Sequence, residues 1–299
     1  MISNKLILDI GTNSIKYFVF SFQSRKWEII NKGKIENRIG DGINDTQGLI
    51  SEKAVTDSIN VIKQILFSMQ NSCFECKAFG TEIFRVANNS SEVIDTVKQQ
   101  TSVEIQVLSQ KQELEIYWNG LVKDFEYQGI ITAVDIGGGS VQFMYGNKNG
   151  LQGCHYLKTG ALFLRNQFIK SEPPTIEEYN QIENSIREQI KDITIQFPPE
   201  TPYIHGSTSV IDFYMEAKLN LVDYDNSVKH PYKIDLKDTR AFYNKLRTLP
   251  REDRIKYFPS EPGFTDGASI GMANVLLIAE KTGLTYEIPS NNSIIHGFL

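Results

Sequence analysis

Residues 6–20 (LILDIGTNSIKYFVF) and 130–146 (IITAVDIGGGSVQFMYG) carry one pattern twice, an apolar run ending in Asp, a small-residue turn and a second apolar run. Asp9, Ile10, Gly11 and Ser14 fall on Asp135, Ile136, Gly137 and Ser140 at a constant offset of 126 residues. A Gly-rich turn between two strands can present several backbone N–H groups to one anion. An Asp at the end of the first strand can hold a hydrated Mg²⁺ that bridges to phosphate oxygens. One such turn is an ordinary hairpin; two in the same order predict a duplicated α/β unit. The expected fold is therefore two similar α/β lobes that face each other across a cleft and share a phosphate ligand.

A chain of 299 residues with 40% hydrophobic residues can fill two cores. Its net charge of −5 argues against a general nucleic-acid or membrane-surface binder, so a polyanion must meet local donors. The chain opens directly on a strand with no basic and apolar leader and contains no membrane-length apolar run, which predicts a cytoplasmic protein. Cys73 and Cys76 form a C-x-x-C pair without a second pair at zinc spacing, and Cys154 is isolated, so reduced structural thiols are expected. His155, His205, His230 and His296 make no metal pattern.

Between the two turns, residues 38–49 read as a Gly, Asn and Asp-rich surface loop, and Val55, Ile59, Ile62, Leu66 and Met69 as the apolar face of a helix. A strand over 76–79 runs into Gly80 and Thr81, with Arg85 just beyond. By position Arg85 serves equally as a phosphate donor or as a surface ion-pair partner. Ser109 with Gln112 is a capping box that starts a helix and puts Glu113 in its first turn. There Glu113 is either a general base aimed at a phosphate or a solvated first-turn carboxylate.

After the second turn, Thr175 with Glu178 forms another capping box, and apolar spacing carries that helix to Ile193. A strand at Tyr203 and Ile204 feeds a third small-residue turn, Gly206, Ser207 and Thr208, at a helix start suited to anions. A largely apolar helix over 263–282 is expected to pack between or behind the halves and to return toward the first lobe, with a hinge near 122–130. Residues 223–235 show no clear period.

The motifs DIGTNSIKY, GTEIFRVANN, VLSQKQELEIYWNG, AVDIGGGSVQF, LKTGALFL and TDGASIGMANVLL, in this order over about 6–283, resemble the exopolyphosphatase and guanosine pentaphosphate phosphatase (Ppx/GppA) family of the actin, Hsp70 and sugar-kinase superfamily. The resemblance implies two ribonuclease H-like lobes of the actin-type ATPase fold, 1–124 and 125–299, with an interlobe cleft. It implies a first phosphate loop at Asp9, Gly11, Thr12, Asn13 and Ser14 and a second at Asp135, Gly137, Gly138, Gly139 and Ser140. Mg²⁺ would be the cofactor, held by Asp135 and Asp9. Arg85 falls on the family's phosphate-facing Arg, and Glu113 on the Glu that activates the attacking water.

The implied reaction is removal of a terminal phosphate from polyphosphate or guanosine pentaphosphate. No nucleic-acid or membrane partner is expected, and a homodimer is left open. Four positions depart from the pattern. Gln142 stands for a Glu, Gln112 for the other Glu of the pair, Phe264-Thr265-Asp266 for Arg-Ala-Asp, and the third loop has fewer glycines. These departures motivate a second class of function, a non-catalytic sensor of polyphosphate or a phosphorylated nucleotide.

Overall fold

The computed structural model describes residues 4–12, 14–24, 26–40, 43, 47–69, 74–207, 209–224 and 229–299. It divides into two compact units, one of residues 1–117 with 297–299 and one of residues 118–296.

The first unit contains β1 (Asn4–Ile10), β2 (Ser14–Gln23), β3 (Lys26–Glu36), α1 (Glu52–Ser68), β4 (Phe74–Gly80), α2 (Glu82–Val86), α3 (Ser90–Thr101) and β5 (Ile105–Val107). The chain then enters α4 (Gln110–Val122), within which the division falls. The sheet order is β3-β2-β1-β4-β5, an antiparallel meander of β1, β2 and β3 followed by the parallel strands β4 and β5.

Helix α1 starts where Ser51 accepts the amide of Ala54 and buries Ile59, Ile62 and Ile65. Each such side chain contributes about 1.5–3 kcal/mol of burial, which outweighs the indifferent intrinsic propensity of isoleucine. In the 38–49 loop, positions 41, 42 and 44–46 lie outside the described residues, but its far end is tied down. Asn89 receives the Ile50 amide on Oδ1 and donates Nδ2 to the Ile50 carbonyl, both at 2.9 Å, and Asn88 Nδ2 donates to the Gln47 carbonyl at 2.9 Å.

The second unit repeats the plan with β6 (Ile131–Ile136), β7 (Val141–Asn147), β8 (Gly150–Leu157), α5 (Ala161–Phe168), α6 (Ile176–Gln189), β9 (Tyr203–Gly206) and α7 (Val210–Glu216). It continues through β10 (Val222–Asp223), β11 (Tyr232–Asp235), α8 (Leu236–Leu246), α9 (Arg251–Arg254), α10 (Thr265–Thr282) and β12 (Tyr286–Ser290). Its sheet runs β10-β11-β12-β9-β6-β7-β8. Strands β8-β7-β6-β9-β12 therefore match β3-β2-β1-β4-β5 in order and direction. The duplication seen in two short motifs is a duplication of whole sheets.

Two expectations need correction, and one unassigned stretch acquires a structure. Helix α10 is enclosed on nearly all sides within the second unit, against α5, α6, α8 and β6, rather than packed between or behind the halves. Its Asn274 donates to the Thr159 carbonyl at 3.0 Å, fixing the segment ahead of α5. Helix α6 stops at Gln189, and Ile190 and Ile193 bury themselves from the turn that follows. The aperiodic stretch at 223–235 supplies β11 and, with Val222, the short edge strand β10.

The Thr175 and Glu178 capping box is present at the start of α6. Glu178 also accepts Ser171 Oγ and the amides of Lys170 and Ser171. Desolvation pushes its carboxyl up, but these hydrogen bonds outweigh that effect and hold it down at about 2. Because the folded value is depressed, the stabilisation is fully present above the ordinary glutamate range and is lost as pH falls toward 2. A carboxyl titration by NMR is expected to show Glu178 still ionised well below the ordinary glutamate range; a midpoint within that range refutes it. Among the described residues no helix is long and apolar enough to cross a membrane.

Candidate active site

In the first unit the turn after β1 closes with the Gly11 amide on the Ser14 carbonyl at 3.0 Å, and the Thr12 carbonyl accepts the Gly40 amide at 3.0 Å. Strand register sets Lys16 opposite Asp9, with Nζ 3.7 Å from Oδ2. Burial pushes the Asp9 carboxyl up, and the Lys16 ammonium opposes that rise. Asn13 lies outside the described residues.

The second unit repeats the turn, with Gly137 N on Ser140 O at 2.9 Å and Gln142 opposite Asp135. Here Gln142 Nε2 donates to Ser140 Oγ at 2.9 Å. Lysine in one copy and glutamine in the other thus occupy the same place beside the Asp. The first amides of α5 take the loop carbonyls: Ala161 N donates to Gly137 O, and Leu162 N and Phe163 N to Gly138 O, at 2.9–3.0 Å. The amides of Gly138 and Gly139 have no acceptor among the described residues, which leaves them for an oxyanion.

Arg85 and Glu113 meet. Arg85, on the short helix α2, sends Nη1 to the Leu108 carbonyl and to Glu113 Oε2, both at 2.8 Å. Glu113 is placed by the predicted capping box, in which Gln112 N donates to Ser109 Oγ at 3.3 Å and Gln112 Oε1 receives the Ser109 amide at 2.9 Å. Gln112 is therefore committed to holding the helix start. The pair brings together the two alternatives posed for Arg85, since it is an ion-pair partner and its partner is the candidate base.

At the third turn Gly206 ends β9 and Ser207 N donates to the Ser290 carbonyl at 3.0 Å, while Thr208 lies outside the described residues. Asn291 Oδ1 caps α7 by accepting the Ile211 amide at 3.2 Å. Beneath the turn lies a buried network that the sequence does not announce. Glu287, fully buried on β12, accepts Tyr214 OH at 2.9 Å and Thr239 Oγ1 at 2.6 Å. Tyr214 spends its one proton on Glu287, so His205 Nδ1, 3.1 Å away, is the donor to the tyrosine oxygen. His205 is thereby structural. The signal that could have found the network is the carboxylate of Glu287 inside an apolar strand sequence.

Among the described residues no three His, Cys, Asp or Glu side chains converge as a metal cage. Asp9 and Asp135 each stand near the end of the strand before their turn, and a carboxylate oxygen is a donor of the type that hard cations take. Cys154 is a free thiol, pushed up to about 12 by burial and by the negative charge of Asp135, and is neutral near pH 7. Cys76 is also free, and Cys73 lies outside the described residues.

The family model for Ppx/GppA phosphatases matches residues 18–278. The chain belongs to the Ppx/GppA phosphatase family. Exopolyphosphatase 1 of Mycobacterium leprae is 24% identical over 192 residues, covering 63% of this chain and 56% of that protein. The bifunctional 3-dehydroquinate synthase/phosphatase of Fusobacterium nucleatum is 24% identical over 199 residues, 62% of this chain and 30% of that protein. This family member thus spans about half the length, or less, of these curated relatives.

Crystal structures match along its whole length. The type II variant of the Aquifex aeolicus Ppx/GppA phosphatase superposes with a TM-score of 0.85 at 21% identity, covering 99% of this chain and 98% of that one. An exopolyphosphatase from Cytophaga hutchinsonii gives 0.75 at 19% identity, over 98% and 96%. The likeness establishes the fold, α/β with two actin-like lobes, as the sequence predicted.

Proposed function

We propose that this Ppx/GppA family member is a cytoplasmic, Mg²⁺-dependent phosphohydrolase that releases the terminal phosphate of inorganic polyphosphate, of guanosine pentaphosphate, or of both. The contact between Arg85 and Glu113 at 2.8 Å carries the proposal, because it joins a phosphate-binding fork to a proton acceptor. An incoming terminal phosphate competes with Glu113 for the guanidinium. Once Arg85 turns to the phosphate, Glu113 is released at the first turn of α4 as a proton acceptor.

Glu113 then orients a water in line with the terminal phosphorus and takes its proton. The new P–O bond forms as the bridging P–O bond breaks, and the charge leaves on the shortened chain or nucleotide. The amides of Gly138 and Gly139 and the Arg85 guanidinium would take up charge on the non-bridging oxygens. Asp135 and Asp9 would hold Mg²⁺, whose chemistry when bound is to neutralise phosphate charge.

Phosphate release from polyphosphate and from guanosine pentaphosphate, with and without Mg²⁺, tests the proposal. Release from neither substrate, together with saturable binding by calorimetry, refutes it in favour of the second reading, a sensor that binds without turnover. One observation favours that second reading. Gln142 offers an amide to Ser140 where the family pattern has a carboxylate, and an amide accepts no proton. Gln142→Glu is therefore expected to raise Mg²⁺-dependent turnover by roughly tenfold or more, within the usual range for a well-placed carboxylate. An unchanged rate shows that the glutamine is no defect.

A further inference from the structure

The second unit contains a polar cavity of about 190 Å³ between α5, α6, α9 and the start of α10, room for roughly six waters at ~30 Å³ each. Arg165, Lys170 and Arg254 line it with Glu172, Asp266 and Tyr179, over a floor that includes Ile270. Its acids are already matched. Glu172 receives Arg254 Nη2 at 3.1 Å on one oxygen and the Arg251 amide at 2.6 Å on the other, and Asp266 receives the Arg251 fork at 2.9 and 3.4 Å.

Two cations are not matched. Arg165 and Lys170 form no ion pair among the described residues, and both turn to Asn166, Arg165 to its side chain at 3.2 Å and Lys170 to its carbonyl at 2.7 Å. Arg254 is only 5% exposed, and its Nε–H is buried without an acceptor, although Nη1 reaches the Leu249 carbonyl at 3.0 Å. A buried guanidinium donor with no partner is costly unless something accepts from it, and Arg254 is among the residues that line the cavity. The wall is held before any ligand arrives, because Glu178 takes the amides of Lys170 and Ser171.

We propose that this cavity is a second, non-catalytic site for a compact phosphate oxyanion, received by Arg254 through its Nε–H, by Arg165 as a fork and by Lys170 as a point charge. Its occupant bears on α5, whose first amides hold the 137–139 turn. Filling the cavity therefore stiffens the helix that carries the phosphate loop. The site does not depend on the hydrolase proposal, since neither Arg85 nor Glu113 takes part.

The test titrates orthophosphate into the full chain and follows the ¹H–¹⁵N resonance of Arg254 Nε–H, assigned by its loss in Arg254→Lys. The expected result is a saturable shift by about 10 mM, where even a millimolar site is filled. The double variant Arg165→Gln/Lys170→Gln, altered only outside the core, is expected to weaken that response about tenfold or more. A resonance that does not move, or that moves equally in wild type and double variant, overturns the proposal. So does a shift with succinate and none with orthophosphate, which assigns the cavity to carboxylates.

Discussion

Glu113→Gln is expected to lower the turnover of polyphosphate or guanosine pentaphosphate by roughly 10²- to 10⁴-fold while leaving substrate affinity largely intact. The amide keeps the size of the carboxylate and an oxygen that can still receive Arg85 Nη1, and the Ser109 and Gln112 cap that starts the helix is untouched. What is lost is the proton acceptor. Arg85→Ala is expected to act differently, weakening binding and turnover together, because a phosphate-holding cation works in both ground and transition states. Steady-state kinetics paired with calorimetry separates the two patterns. A Glu113→Gln enzyme as fast as an active wild type would move the base elsewhere in the fold.

Gly160→Ala is expected to cost about 3 kcal/mol or more of stability and to abolish phosphate binding at the second loop. Gly160 has φ −55° and ψ 146°, a conformation open to alanine, so backbone preference is not the reason. The reason is contact. A Cβ there would lie 2.1 Å from the carbonyl carbon of Gly139, 2.3 Å from Ser140 N and 2.5 Å from Gly138 O. All three are backbone atoms of the phosphate loop, and the loop is pinned by its hydrogen bonds to the start of α5. Room can come only from displacing it. Urea denaturation and phosphate calorimetry on the variant measure both losses, and wild-type values in both would refute the steric account.

The turns and caps were legible in the sequence because their causes are local. Each Asp-Gly turn taken singly, the boxes at Ser109 with Gln112 and at Thr175 with Glu178, and the serine start of α1 depend on residues within one or two turns of chain. What failed to show depends on tertiary packing. Helix α10 is apolar on all faces, so periodicity says that it is buried but not in which unit. Strand β12 holds Glu287 and Pro289, residues that argue against a central strand. Yet it pairs with β9 and β11, and the carboxylate is satisfied by Tyr214 and Thr239 from α7 and α8.

Of the site, the residue types and their order were readable, and the direct bond between Arg85 and Glu113 was not. It requires α2, a five-residue helix after Gly80 that carries too few apolar positions to betray itself.

The first unit is discontinuous in sequence, because residues 297–299 belong with residues 1–117. Phe298 stacks on Phe79 with ring centroids 4.7 Å apart, and Lys77 Nζ reaches the Phe298 carbonyl at 3.4 Å. Residues 118–296 are thus an insertion within their neighbour, entered and left by separate crossings of the chain. A fragment cut after Tyr117 would expose the ring of Phe79 and would not be a faithful sample of the first unit. The second unit, continuous from 118 to 296, is the piece to express alone, and a graft joining residue 117 to residue 297 through a short linker is the way to recover the first.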